Sequence, residues 1–398
     1  MKKHLYEIQR SKLPSYLKWW FIKYKHAGVL SEVMENLTSP ITLQVSLRRK
    51  FKIFQISGNS VQDGEPSPET LVPNQNVTGE VDVKVKNKNL YTGNIVNLGI
   101  GTNSSSSTGY ALTYGTNLRG TYIKCKPNQI LSISRKDTSN NRFRIGFTEI
   151  EPVNGATVFN YMNRDSFLKV EDIIVPENVN YMLIYLSNDG TLPVDFMIEE
   201  GSTATQYEPH EEQTVTFPLE EGQVLHESDT IEDKIVQNKQ TVILDGTETI
   251  NFYRQDLWDD DFVAFGIRYT SKGQKMASGL TTNKFNFASN VTNVAGAALN
   301  KDINKAGISN DGNIYVLLSP TIASSIEEMA TYLAEQYANG APWIAEGTLE
   351  TPIEIPFTEA QRTAKAQIDK LYSYKGTTYI SSNNEPSPKF KIQYVKEE

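Results

Sequence analysis

Asp195-Phe-Met-Ile-Glu-Glu-Gly-Ser-Thr-Ala-Thr-Gln-Tyr-Glu-Pro209 is the stretch whose reading decides the fold. Phe196 and Ile198 alternate with Met197 and Glu199, as residues of a half-buried strand do. Gly201-Ser202-Thr203 then supplies turn chemistry, and Pro209 with Glu208, Glu211 and Glu212 marks an exit. A β-rich module therefore closes here.

Upstream, nearly every signal back to residue 85 is also β. Leu131-Ser-Ile-Ser134 alternates, and Arg142-Phe-Arg-Ile-Gly-Phe147 alternates with arginines on one face. Tyr181-Met-Leu-Ile-Tyr-Leu186 is continuously apolar and reads as a strand covered on both sides. Short strands parted by Pro-Asn and Asn-Asp-Gly turns predict a sandwich. Gly101-Thr-Asn-Ser-Ser-Ser-Ser-Thr-Gly109 reads as a mobile loop.

Before this module, Ile41, Leu43, Val45 and Leu47 alternate with polar residues, and Phe51-Lys-Ile-Phe-Gln-Ile56 follows. The tetrapeptide Glu-Pro-Ser-Pro occurs at 65–68 and again at 385–388, each time beside a Phe-Lys-Ile strand. That echo predicts that the two ends of the chain lie side by side. After the module come more strands and two helices. Ser325 with Glu328 predicts a capping box opening a helix near 325–339, and Thr358 with Gln361 opens a second near 358–375. The expected fold class is mainly β: an N-terminal helical arm, a jelly-roll β-sandwich, and a second β-sandwich-like domain with two packed helices. The expected boundaries are 1–40 for the arm and 41–84 for a β connector belonging with the C-terminal domain. The sandwich takes 85–213 and the distal β domain 214–398.

The arm carries Leu13, Leu17, Trp20, Phe21 and Tyr24 on one helical face. Residues 1–52 hold 11 Lys+Arg against 3 Asp+Glu, whereas the whole chain of 398 residues carries a net charge of −8. A basic front end on an acidic body argues against nucleic-acid binding by the body. Packing on its own domain, docking to a partner, self-association and lying on an anionic membrane all fit such a stripe. No run of about 18 apolar residues exists to span a bilayer. The longest apolar run near the start, Trp19-Trp20-Phe21-Ile22, is flanked by lysines and does not read as a signal peptide. The single cysteine, Cys125, alternates with lysines and reads as a buried strand residue.

Specific reactive motifs are missing from the sequence: it has no P-loop, no dinucleotide glycine pattern, no Cys-x-x-Cys and no His-Glu-x-x-His. His4, His26, His210 and His226 are too scattered for metal-ligand spacing. His210 and His226 stand in acidic loop sequence, which points away from a Ser-His-Asp triad. Asp259 and Asp261 in Trp258-Asp-Asp-Asp-Phe262 are a weak calcium candidate that reads better as a solvated turn. Glycosidases need only two suitably spaced carboxylates, and 47 acidic residues leave that class open. Binding fits the composition better, because sugars stack on aromatic faces while amides and guanidinium groups read hydroxyls. Tyr110, Tyr114 and Tyr122, with Asn140, Asn141 and Arg142, are the carbohydrate-binding candidates. No cofactor is expected.

Several phrases resemble those of minor tail and baseplate proteins of phages and prophages of Gram-positive hosts. Phe54-Gln-Ile-Ser-Gly-Asn-Ser-Val-Gln-Asp-Gly-Glu-Pro-Ser-Pro68 looks like the loop that opens their sheet domain. Asn87-Lys-Asn-Leu90, Tyr122-Ile-Lys-Cys-Lys-Pro-Asn128 and Glu199-Glu-Gly-Ser-Thr-Ala-Thr-Gln-Tyr-Glu-Pro209 resemble the first, middle and last strands of their carbohydrate-binding-module-like jelly roll. Val242-Ile-Leu-Asp-Gly-Thr-Glu248 and Gly376-Thr-Thr-Tyr-Ile-Ser-Ser382 are similar to phrases of their distal half. The resemblance spans about residues 41 to 398 and implies a non-enzymatic virion component at the tail tip, assembled in the host cytoplasm. It further implies a jelly roll inserted into a second β domain, other tail proteins and host surface polysaccharide as partners, and a homo-oligomer such as a trimer. A tail-associated polysaccharide-degrading enzyme and a purely structural spacer are the alternatives.

Overall fold

The computed structural model describes residues 41–45, 51–62, 64–115, 118–135, 143–164, 169–186, 196–253, 262–291, 305–374 and 376–394. The chain is mainly β, with β-sandwich-like sheets and two helices among those residues. The arm expected at 1–40 lies outside them.

The two ends of the described chain build one body. Strand Phe51–Ser57 pairs antiparallel with Lys389–Tyr394, and Ile41–Val45 pairs with Gly376–Ser381. The Phe-Lys-Ile strands of the echo are thus neighbours, which their sequence separation alone would never require. Gly376–Ser381 continues to Glu80–Asn87 and then Glu212–Pro218, completing a four-stranded sheet. Strict alternation in Glu80–Asn87 buries Val81, Val83 and Val85 and turns Asp82, Lys84 and Lys86 away from the core.

That sheet packs on half of a six-stranded sheet, in the order Met276–Thr282, Trp343–Pro356, Lys234–Leu244, Thr230–Ile231, Phe51–Ser57, Lys389–Tyr394. Ile53, Ile56, Val83, Phe217 and Ile392 fill the space between them, with helix α2, Glu359–Ile368, closing one side. The other half of the same sheet covers a second core. There Val242, Leu244, Trp343 and Ala345 meet a five-stranded sheet and helix α1, Ile326–Ala338. The long strands Lys234–Leu244 and Trp343–Pro356 run through both cores and tie them together.

Residues between Glu80–Asn87 and Glu212–Pro218 form the sandwich. A three-stranded sheet, Lys169–Ile174, Ile130–Arg135 and Phe196–Glu200, faces a four-stranded one, Phe159–Arg164, Phe143–Thr148, Tyr181–Leu186 and Arg119–Lys124. A hairpin, Leu98–Thr102 with Tyr110–Tyr114, packs on the far side of the four-stranded sheet. This third layer explains the continuously apolar strand. Met182 and Ile184 enter the inter-sheet core, while Leu183 and Tyr185 lie under the hairpin.

Two expectations need correction. Helix α2 stops at Ile368, well short of 375. Gln213 captures the peptide of Tyr372, donating to its carbonyl at 2.9 Å and accepting from its N–H at 3.2 Å, and draws the chain off the helical path. The Ser-rich loop at 101–109 is tied down rather than loose. Asn103 N–H donates to Gly109 O at 2.9 Å, Ser106 Oγ to Tyr110 O at 2.8 Å and Thr108 Oγ1 to Val158 O at 2.5 Å.

Candidate functional site

A cleft of about 790 Å³ opens on the outer face of the six-stranded sheet. Register places Thr241 opposite Glu346 and Ile243 opposite Ile344, so these four side chains share the face away from the second core. A short ribbon, Val61–Gln62 with Asn74–Gln75, forms one wall. It is fastened to the sheet by Gln62 Nε2 donating to Thr282 O at 2.6 Å and Val72 N–H to Asn283 O at 2.9 Å. The turn Lys272-Gly273-Gln274 and the segment Gly222–His226 supply further walls, with Ile353 and Glu385 completing the lining.

At the floor stands an ordered chain of polar groups. Asp229 is fully buried, and its Oδ2 accepts from the His226 backbone N–H at 2.9 Å and from ring Nδ1 at 2.8 Å. Its Oδ1 accepts from Asn238 N–H at 2.6 Å and Lys239 N–H at 3.1 Å, at the bulge in Lys234–Leu244. A carboxylate only accepts, so it fixes the imidazole proton on Nδ1. In the neutral ring Nε2 then accepts from the Thr241 hydroxyl, 2.9 Å away. Gly58 makes the arrangement possible, since a Cβ there would stand 2.1 Å from His226 O.

The order hydroxyl, imidazole, carboxylate is that of a nucleophilic triad. Sequence reading missed it because Thr241 is fifteen positions from His226 and no local motif joins them. The carboxylate that lines the cleft is the exposed Glu385, while Glu346, on the same sheet face opposite Thr241, is buried and already engaged. Ser60 Oγ donates to it at 2.9 Å and Asn76 Nδ2 at 2.9 Å, with Lys239 Nζ at 3.7 Å. Two carboxylates facing each other across a substrate, as glycoside hydrolysis requires, are not what the floor offers.

The cationic wall is neutralised too. Lys272 Nζ lies 2.5 Å from Asp245 and 2.8 Å from Glu248, and donates to Ile243 O at 3.3 Å. The Lys272 bond, then those from Thr247, hold the Asp245 carboxyl down at about 2. Burial alone would lower Lys272, but its bonds to the two carboxylates outweigh that and raise it. What remains is amide chemistry. Gln240 and Gln274 bond to each other, with Gln274 N–H donating to Gln240 Oε1 at 2.9 Å. Asn74 keeps both amide atoms unpartnered among the described residues.

The tyrosines singled out from sequence lie elsewhere, on the hairpin side of the sandwich. Tyr110 stacks on Tyr161 with ring centroids 4.1 Å apart. Tyr114 donates to Pro152 O at 2.8 Å and Tyr122 to Glu151 at 3.2 Å, so one loop gathers both phenols. Burial, then the Glu151 bond, pushes the Tyr122 hydroxyl above its ordinary range. Asn140, Asn141 and Arg142 lie outside the described residues, as do Asp259 and Asp261 and the arm residues Leu13, Leu17, Trp20, Phe21 and Tyr24.

Two of the phrases quoted above meet where the chain enters and leaves the sandwich. Asn89, almost fully buried, accepts from Tyr91 N–H at 3.0 Å and Ile198 N–H at 3.3 Å, and donates to Glu208 O at 3.0 Å. Asn87 Nδ2 donates to Pro209 O at 2.6 Å. Lys88 Nζ reaches Thr205 Oγ1 at 2.7 Å and Glu208 at 3.2 Å, while Glu199 accepts from the same hydroxyl at 2.7 Å. Every member of this clasp has a partner, which is how buried polar groups are tolerated. These residues hold the fold together and do not line a ligand site. Compared with known proteins, the chain matches no family model, no curated protein and no solved structure.

Proposed function

We propose that the chain is a non-enzymatic structural protein of a phage or prophage tail tip or baseplate, which contacts host cell-surface glycan. Its N-terminal arm attaches it to the particle or to further copies of itself. The observation that carries this reading is the clasp. The phrases Asn87-Lys-Asn-Leu90 and Glu199–Pro209, which resemble the first and last strands of the inserted module in such proteins, interlock through their own side chains. A layered β body with an inserted sandwich suits a rigid scaffold whose loops meet a partner.

A glycan array combined with reducing-sugar release from host cell walls tests the proposal. Adhesion without release is expected. The second reading, a tail-associated enzyme acting on cell-surface polysaccharide, draws on Thr241, His226 and Asp229. Such a triad cleaves acyl esters, not glycosidic bonds, so release of acetate or another acyl group by the wild-type chain, followed beside the reducing-sugar assay and lost in His226→Ala, would favour that reading and overturn the first.

A further inference from the structure

The cleft on the six-stranded sheet holds hydrogen-bonding capacity that the described residues leave unspent. We infer that it binds a neutral, polyhydroxylated ligand, a short stretch of uncharged polysaccharide, and that this cleft is the glycan site of the molecule. The inference rests on the reading of the chain as a glycan-contacting protein and says where, and of what charge, the glycan is.

The first ground is the inventory of donors and acceptors. Asp229 holds a proton on Nδ1, and a neutral His226 then takes the Thr241 hydroxyl proton on Nε2, so that Thr241 offers a ligand only lone pairs. Gln237 gives an amide N–H to Val224 O at 3.2 Å and keeps its side-chain carbonyl as an acceptor. Asn74 in the wall carries a donor and an acceptor on one amide; both atoms are buried, neither is used by the described residues, and a turn of the side chain brings them to a ligand. An amide left without a partner in a part-buried wall is costly, and a pair of vicinal hydroxyls satisfies both of its ends.

The second ground is charge. Lys272 is consumed by Asp245, Glu248 and a backbone carbonyl, and Lys239 lies between Glu227 and Glu346. Neither is left to receive a phosphate or carboxylate, and the exposed Glu385 adds a negative charge to the lining, so a phosphate-bearing polymer gains no ion pair with these lysines and meets a like charge. Ile243 and Ile344 add apolar surface beside these groups, suited to the CH faces of a pyranose ring. The volume, about 790 Å³, lies within the range of about 300–1,000 Å³ usual for small-molecule sites and leaves room for more than one ring.

The test measures binding of the full chain to immobilised neutral and phosphate-bearing glycans. The variants are Asn74→Ala, Thr241→Val and the double change Tyr114→Ala with Tyr122→Ala, and thermal unfolding is followed in each. Asn74→Ala removes no bond within the described residues and is the variant expected to leave folding unchanged. The expected result is binding of neutral glycans, weakened about tenfold by Asn74→Ala and again by Thr241→Val, and unchanged in the tyrosine variant. Neutral-glycan binding that survives both cleft changes but is lost with the tyrosines overturns the cleft assignment and leaves the glycan-contacting reading standing. Preference for the phosphate-bearing polymer also overturns the assignment. Absence of glycan binding by the wild-type chain overturns the reading and the inference together.

Discussion

Cys125 stands between two lysines, yet its thiol joins the sandwich core with Leu131 and Ile133, and burial pushes it up to about 12. A thiol so disfavoured as thiolate is a poor nucleophile. A thiol-specific reagent should therefore leave Cys125 unlabelled in the native protein and label it as the sandwich unfolds. Equal labelling rates in buffer and denaturant would contradict this. Asp245 allows a test of opposite kind. Its folded value, about 2, lies below the ordinary 3.8 because Lys272 and Thr247 bond to the ionised form. The stabilisation is complete above about pH 4 and fades as pH falls towards 2. Asp245→Asn should be less stable than wild type at pH 5, and urea midpoints of the two should converge between pH 4 and pH 2. A gap that stays constant over that interval would remove the carboxylate from the account.

At the scale of elements, both helices begin where their capping residues stand, but the two caps differ. Thr358 accepts from Gln361 N–H at 3.3 Å and Gln361 Oε1 accepts from Thr358 N–H at 3.1 Å, a complete box. Ser325 accepts from Glu328 N–H at 3.1 Å, whereas the Glu328 carboxylate turns to Ser324, accepting from its N–H and hydroxyl at 2.7 Å each. Gln361 also reaches out of its helix, donating to Pro218 O at 3.1 Å and Gln223 Oε1 at 2.9 Å while fully buried. Thr358→Ala should cost about 1 kcal/mol. Gln361→Ala should cost more, about 2–3 kcal/mol, because it leaves buried partners unpaired as well. Chemical denaturation of the two variants ranks them, and the reverse order would show that the cap outweighs the tether. The spacing of capping residues was readable in the sequence. The tether was not, since its acceptors lie about 140 positions away.

For the whole molecule, the described strands carry the sandwich out of the composite body where Lys86 pairs with Glu212 and Asn87 N–H donates to Glu211 O at 3.1 Å. Lys124 and Glu385 also approach, at 3.6 Å, but both are mostly exposed and such a pair contributes little. The clasp therefore governs the connection. Because the two strands leaving the body are already neighbours, replacing residues 88–210 with a two-residue Asn-Gly turn should leave the composite body folded. A cooperative thermal transition in the shortened chain is the expected outcome, and a chain without one would mean that the body depends on its insert.

Periodicity and capping residues by themselves determined strands such as Glu80–Asn87 and Tyr181–Leu186, the helix starts and the mainly β class, because these signals are local to the backbone whatever lies opposite. The Glu-Pro-Ser-Pro echo even disclosed that the strands Phe51–Ser57 and Lys389–Tyr394 are neighbours. Only the tertiary structure decided that one sheet serves two cores, that a hairpin is what covers the second face of Tyr181–Leu186, and that Thr241 meets His226 in a cleft lined also by the unpartnered Asn74. Those relations join residues across long stretches of chain. They are set by register and layer packing, which no local pattern of residues encodes.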